Sequence, residues 1–287
     1  MCTTLRKSQR EEGPLTKPKF FLDTSTCIDV GKGTIASSEW AWLFARATRK
    51  YQYCISPLTA YELIAGLATG ADAHFDRNRE AVRILHAQGR GSYLKPLRTF
   101  MARVLFGEPV ETAAAPHIEL WLEAVLRAKD RAALEGNVRV PYKGQWRTFG
   151  LKLSEINRQL RDIQAGYAKR FRQFRSETIA DLTPEIWAKM VLDELEQPVT
   201  DANRKIVLES CDAAFRFDRG FFDYCKDPKY DFSKHGAEIV DAQQLYYLCD
   251  ATVLFVTEEK KIRKRVSDSP QAHRIMTADE FGRHATP

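Results

Sequence analysis

Short apolar runs that end abruptly in polar residues mark out both ends of this chain. Phe20, Phe21 and Leu22 are followed at once by Asp23 and the hydroxyl-bearing stretch Thr24-Ser25-Thr26. Lys19 to Thr24 therefore predicts a buried strand, and Tyr51 to Ser56 a second short one. Between them, Trp40, Leu43, Phe44 and Ala47 recur on one face of a helix over Ser37 to Arg49. Helices are predicted over Thr59 to Ala68, stopping near Gly70, and over Asp76 to Gln88. Near the C-terminus the same alternation returns. Gly236 to Cys249 reads as helix, "ATVLFVT" as strand, "EEKKIRKRV" as helix, and "HRIMTADEF" as a last short strand and turn. Alternation of this kind predicts an α/β fold around a mainly parallel sheet.

The middle of the chain has a different pattern. "HIELWLEAVLRAKDRAALEG" predicts one helix closed by Gly136, and Pro184 to Leu195 another with Thr183 as its N-cap. Strand signals are almost missing there. The expected organisation is a flexible leader at 1–18, a core from 19–109 and 236–287, and a helical insertion at 110–235. No run of about 18 apolar residues predicts a membrane span. Six cysteines without metal-ligand spacing read as reduced thiols, which with the polar N-terminus predicts a cytoplasmic protein. The six histidines are scattered and receive no role.

Charge sharpens the picture. The net charge is +6, but residues 139–175 hold ten of the 44 Lys and Arg and only two of the 38 Asp and Glu. One segment therefore supplies the positive balance, a sign of a polyanionic partner. On a helix from Ser154 to Arg175, Ile156, Leu160, Ile163, Tyr167, Phe171 and Phe174 fall on one side. Arg158, Arg161, Lys169 and Arg172 fall on the other. Either a solvated face or a phosphate-tracking surface has this pattern, and nearby Tyr142, Trp146 and Phe149 could stack on bases or fill core. A second cluster of Lys260, Lys261, Arg263, Lys264 and Arg265 follows the strand at 251–257 and is the stronger candidate for backbone contact.

Four acids stand at telling positions. Asp23 and Glu259 come directly after strands, where open parallel sheets bind ligands. Glu62 and Asp241 are expected in the first turns of helices. Each has an ordinary explanation: Asp23 as a cap, Glu62 as the partner of Thr59 in a T-x-x-E capping box, Asp241 and Glu258/Glu259 as acids favoured by helix dipoles. Brought together, however, four carboxylates repel, and a hard divalent cation with oxygen ligands relieves the repulsion. Such a site predicts metal-assisted hydrolysis of a phosphodiester.

The pieces "FLDTSTCIDV", "ISPLTAYELIAGL" and "DAQQLYYLCDATVLFVTEEKKI" resemble the PIN domain family of metal-dependent nucleases over about half of the chain. The resemblance implies a three-layer α/β/α fold and an endonuclease, most readily acting on RNA, that uses Mg²⁺ or Mn²⁺. It carries Asp23, Glu62, Asp241 and Glu259 over as metal ligands, with Glu258 as the other candidate for the fourth acid and Thr257 as the hydroxyl beside the site. Thr257 and Ser25 would orient acids or water. Products would carry a 5′-phosphate and a 3′-hydroxyl. A homodimer and a protein inhibitor or partner at the insertion are further expectations. Two departures keep alternatives open: Glu stands where the family has Asp, and compact members lack the insertion. A DNA or structure-specific nuclease, or a non-catalytic nucleic-acid- or protein-binding module with a degenerate site, fits the same residues.

Overall fold

The computed structural model describes residues 17–67, 72–89, 91–107, 116–142, 145–176, 181–225, 227, 229–230 and 236–285. The first elements are β1 (Lys19–Leu22), α1 (Thr24–Gly31), α2 (Ser37–Lys50), β2 (Gln52–Tyr53), α3 (Pro57–Leu67) and α4 (Asp72–Gly89). Next come α5 (Leu97–Phe106), α6 (Pro116–Arg127), α7 (Arg131–Gly136), the hairpin β3 (Arg139–Tyr142) and β4 (Gln145–Thr148), and α8 (Phe149–Ser176). The remainder is α9 (Pro184–Glu194), α10 (Asp201–Ser210), α11 (Asp212–Cys225), α12 (Gly236–Leu245), β5 (Val253–Val256), α13 (Lys260–Arg265), β6 (Ile275–Met276) and α14 (Ala278–Ala285). A 3-10 turn at Tyr246–Cys249 follows α12, and another at Ala272–Arg274 precedes β6.

The fold is α/β, with a small parallel sheet in the order β2-β1-β5-β6. β1 and β5 sit at its centre and are buried on both faces, as parallel strands covered by helices are. Their register pairs Phe21 with Phe255, and the two rings stack with centroids 4.7 Å apart. It also pairs Leu22 with Val256, so the residues that follow, Asp23 and Thr257, emerge side by side at one edge. The apolar core runs without a break from Phe20 to Ala285. It includes Trp187, Phe217 and Phe221 of the middle segment, so that segment shares the core.

Several elements differ from expectation for identifiable reasons. The run at 117–136 is two helices, because Asp130 accepts from the Ala133 amide (2.7 Å) and restarts the chain as α7. The middle segment contains a hairpin, β3–β4, as well as helices. The strand expected at Tyr51 to Ser56 shrinks to β2 plus an isolated bridge from Ile55 to Tyr93. An unexpected helix, α1, begins directly after β1. Of the expected leader, residues 1–16 lie outside the described residues, while the Pro18 carbonyl already accepts from the Gln52 amide. Among the described residues no helix is long and apolar enough to cross a membrane.

Packing of α3 and α8 sets the geometry around the sheet edge. Gly66 lets α4 lie close on α3, since a Cβ there would meet the Asn78 side chain at 2.2 Å. α8 buries Leu153, Ile156 and Leu160 and packs against α3 and α12. The expected amphipathic stripe is present there, with Arg158, Arg161, Lys169 and Arg172 exposed. The side chains of Tyr167, Phe171 and Phe174 lie outside the described residues.

Candidate metal centre at the sheet edge

Asp23 ends β1 and caps α1. Its Oδ1 accepts from the Thr26 amide (2.7 Å), while its Oδ2 accepts from Ser25 Oγ (2.8 Å) and Thr257 Oγ1 (2.5 Å). The cap reading of this residue is therefore correct, and it explains α1. Thr, Ser and Thr are weak helix formers, but a capping aspartate offsets that. A carboxylate has about four acceptor sites, so Asp23 keeps one for another partner. Burial raises its pKa above the ordinary range, against the lowering effect of those hydrogen bonds.

Glu62 is not the partner in a capping box. α3 starts at Pro57, so Thr59 lies inside its first turn and Glu62 is the sixth residue. The Thr59 hydroxyl instead donates to the Leu22 carbonyl (2.8 Å), pinning α3 to the end of β1. It also lies 3.4 Å from Gln244 Oε1, which ties α12 to the same point. Glu62 Oε2 accepts from Thr24 Oγ1 (2.6 Å) at the start of α1. Burial pushes its pKa up to about 7; the Thr24 bond opposes the rise and the Asp23 charge adds to it.

Asp241 is likewise the sixth residue of its helix rather than its opening one. The dipole explanation therefore falls away for Asp241, since the dipole acts within the first turn, as the capping box does for Glu62. Burial first, then Glu62, Asp23, Glu259 and Glu238 in turn, push Asp241 up to about 8. Three of these acids, Asp23, Glu62 and Glu259, come from distant parts of the chain, and Glu238 from the same helix. Among the described residues no Lys or Arg pairs with Asp23, Glu62, Asp241 or Glu259.

The two adjacent glutamates after β5 have different surroundings. Glu258 Oε1 accepts from the Ala278 amide (2.8 Å) and so holds the N-terminus of α14. Glu259 makes no side-chain cap on α13, while its amide donates to Thr257 Oγ1 (3.0 Å). Of the two, Glu259 is the one whose charge acts on Asp241, while Glu258 is engaged by α14. Thr257, fully buried, bridges Asp23 and the Glu259 backbone. Replacing Thr257 with Val keeps the shape and removes both hydrogen bonds. A loss of about 10- to 100-fold in divalent-ion affinity is expected by titration calorimetry.

Much of the basic cluster on α13 is engaged internally. Glu238 binds Lys261 (3.1 Å) and Arg265 (2.9 Å), and Glu280 binds Arg263 (2.6 Å). Arg265 also lies over the rings of Phe217 and Tyr224. Lys260 and Lys264 remain exposed. Glu238 escaped the sequence reading, although its position three residues before Asp241 puts the two on one helix face. Despite burial, its cationic neighbours hold its pKa below the ordinary carboxylate range.

A second group of donors joins α4 and α6. Ligand atoms of His86, Glu119 and Glu123 fall within 4.8 Å of one another. Here neighbours already satisfy the acids: Glu119 is held by His86 Nε2 (2.9 Å) and the Tyr93 hydroxyl, and Glu123 pairs with Arg127 (3.4 Å). The group links the Ile55–Tyr93 bridge to α4 and α6. The all-oxygen set at the sheet edge, by contrast, is short of positive charge and suits a hard divalent cation. No family model, curated protein or solved structure matches this chain.

Proposed function

We propose that this protein is a divalent-cation-dependent endonuclease of the PIN kind, with its sheet in a three-layer arrangement and RNA as its substrate. The observation that carries the proposal is geometric: Asp23 and Thr257 leave adjacent strands side by side and are hydrogen-bonded, Thr24 ties Glu62 to the same turn, and Gln244 brings α12, the helix of Asp241, to the end of β1. Buried like charges without cationic partners are unfavourable on their own. Asp23, Glu62, Asp241 and Glu259 would hold Mg²⁺ or Mn²⁺. The cation would supply charge neutralisation at the phosphate and activation of water for in-line attack. The chain's own part is orientation. Ser25 and Thr257 fix the Asp23 carboxylate, and Thr24 fixes Glu62. α8, with exposed Arg158, Arg161, Lys169 and Arg172, packs against the two helices that bear Glu62 and Asp241, which supports a polyanionic substrate near this edge.

A cleavage assay tests this, using single-stranded RNA, single-stranded DNA and duplex with Mg²⁺, Mn²⁺ or EDTA, and mapping product ends. RNA is expected to be cut only with a divalent ion, leaving 5′-phosphate and 3′-hydroxyl ends. Glu259→Gln is expected to lower the rate by about 10²-fold or more, whereas Glu258→Gln, which can still cap α14, stays within about twofold. Equal losses at the two positions would contradict the assignment of the fourth acid.

A further inference from the structure

We infer that the β3–β4 ribbon and α8 form a grip for single-stranded nucleic acid, with Trp146 as a stacking platform for an unpaired base. This inference rests on the polyanion reading of the sheet edge and deepens it. The ribbon's register pairs Arg139 with Thr148, Val140 with Arg147, and Pro141 with Trp146. Opposed residues share a face in an antiparallel pair, so Val140 lies on one face while Arg139 and Trp146 lie on the other. Val140 is buried, as is Phe149 where the ribbon enters α8. The opposite face is turned outward, and Trp146 is 67% exposed on it.

Leaving a ring of that size in water forfeits the gain from burying it. Its surroundings indicate what covers it. Arg139 is exposed on the same face, while Gln145 and Arg147, the ring's exposed neighbours in sequence, lie on the other. Among the described residues no other large exposed apolar side chain lies on the ribbon or on α8. A protein-docking patch would surround the ring with apolar neighbours, whereas an exposed ring that shares its face with Arg139, in a segment of ten Lys and Arg against two acids, matches the stacking-plus-phosphate pattern of single-strand binding. α8 continues the charge. Its exposed Arg158, Arg161, Lys169 and Arg172 run along about 21 Å of helix, at 1.5 Å per residue. The Arg158–Asp162 pair on that face is itself exposed and exchanges readily with phosphate. Both strands of the ribbon contact α8, which in turn packs against α3 and α12, so the ribbon is joined through one helix to the acid-bearing helices. A base can stack on Trp146 only if it is unpaired, which makes the grip selective for single strands.

The test uses the full chain with Asp23→Asn in EDTA, so that binding is separate from cleavage. The probes are 12-nucleotide oligo(U), 12-nucleotide oligo(dT) and a 12-base-pair duplex, read by fluorescence anisotropy and tryptophan quenching. Trp146→Ala is expected to weaken oligo(U) or oligo(dT) binding by about 5- to 150-fold, and Trp146→Phe to restore most of it. The salt dependence should be unchanged in Trp146→Ala, but Arg161→Gln should reduce its slope by about one. Duplex binding should be weaker and indifferent to Trp146. Equal single-strand affinities for Ala, Phe and Trp at 146, or an equal loss on duplex, would overturn the inference. Cleavage by wild type together with normal binding by Trp146→Ala would sink only the grip. Trp146-dependent binding without cleavage would sink only the nuclease.

Discussion

Asp23→Asn is expected to lower divalent-dependent cleavage by about 10³-fold or more, while its melting temperature in EDTA is no lower than that of wild type. Substitution at a residue 2% exposed ordinarily destabilises. Here two features of the site predict otherwise. Asn and Asp are about equally good N-caps, so the bond from the Thr26 amide survives on Oδ1. The hydroxyls of Ser25 and Thr257, which donate to Oδ2, can rotate to accept from the amide that replaces it. The substitution also removes one of several like charges that raise the pKa of Glu62 and Asp241. Asp23→Ala, which loses the cap as well, should be less stable by about 1 kcal/mol from the cap alone. Paired rate measurements and thermal melts separate these effects. An Asp23→Asn protein that melts well below wild type in EDTA would show that the charge has a structural partner.

The second large effect is on stability against pH without metal. Glu62 and Asp241 have folded pKa values of about 7 and about 8, above their ordinary values of 4.5 and 3.8. The native state therefore holds protons that the unfolded state has already released. Stability falls with pH wherever the folded form binds more protons. The contribution of these groups is fully present below about pH 4. It is lost as pH rises and is gone above about pH 8. A tenfold difference in proton affinity between the folded and unfolded chain corresponds to about 1.4 kcal/mol, so the loss amounts to several kcal/mol. Asp241→Asn should flatten much of the fall in EDTA. Mn²⁺ should restore stability most at pH 8, where protons no longer compete for the ligands. Denaturant melts of the two proteins between pH 5 and 8.5 measure this. Parallel curves in EDTA would mean that Asp241 is not held protonated.

How much of this was legible in the sequence depends on how local each signal is. The central strands and the acid after β1 could be read directly, because full burial leaves an unbroken apolar run and its end is abrupt. The α/β class followed from their alternation with helices. Asp241 and Glu62 could be placed on helices, but neither lies in a first turn: the start of α3 was misread, while α12 begins at Gly236 as expected. Pro57 begins α3 two residues before the apparent Thr59 cap, and α12 begins five residues before Asp241. The choice between Glu258 and Glu259 was not local at all: it depends on the Ala278 amide, 20 residues away. The same applies to the α13 cations, whose partners Glu238 and Glu280 are distant in sequence. The hairpin was hidden because Pro141 breaks its alternation and its strands are only four residues long. The sequence signal of the α8 stripe, in contrast, holds at Ile156, Leu160 and Ile163 and at the exposed Arg158, Arg161, Lys169 and Arg172, because 3.6-residue periodicity is a property of the segment itself.

The most direct measurement is anomalous X-ray scattering from crystals grown with Mn²⁺, phased without reference to any assumed site. A metal centre at the sheet edge predicts a peak bounded by Asp23, Glu62, Asp241 and Glu259, lost in Asp23→Asn crystals. A Mn²⁺ peak confined to His86, Glu119 and Glu123, with the sheet-edge acids bare, would contradict it.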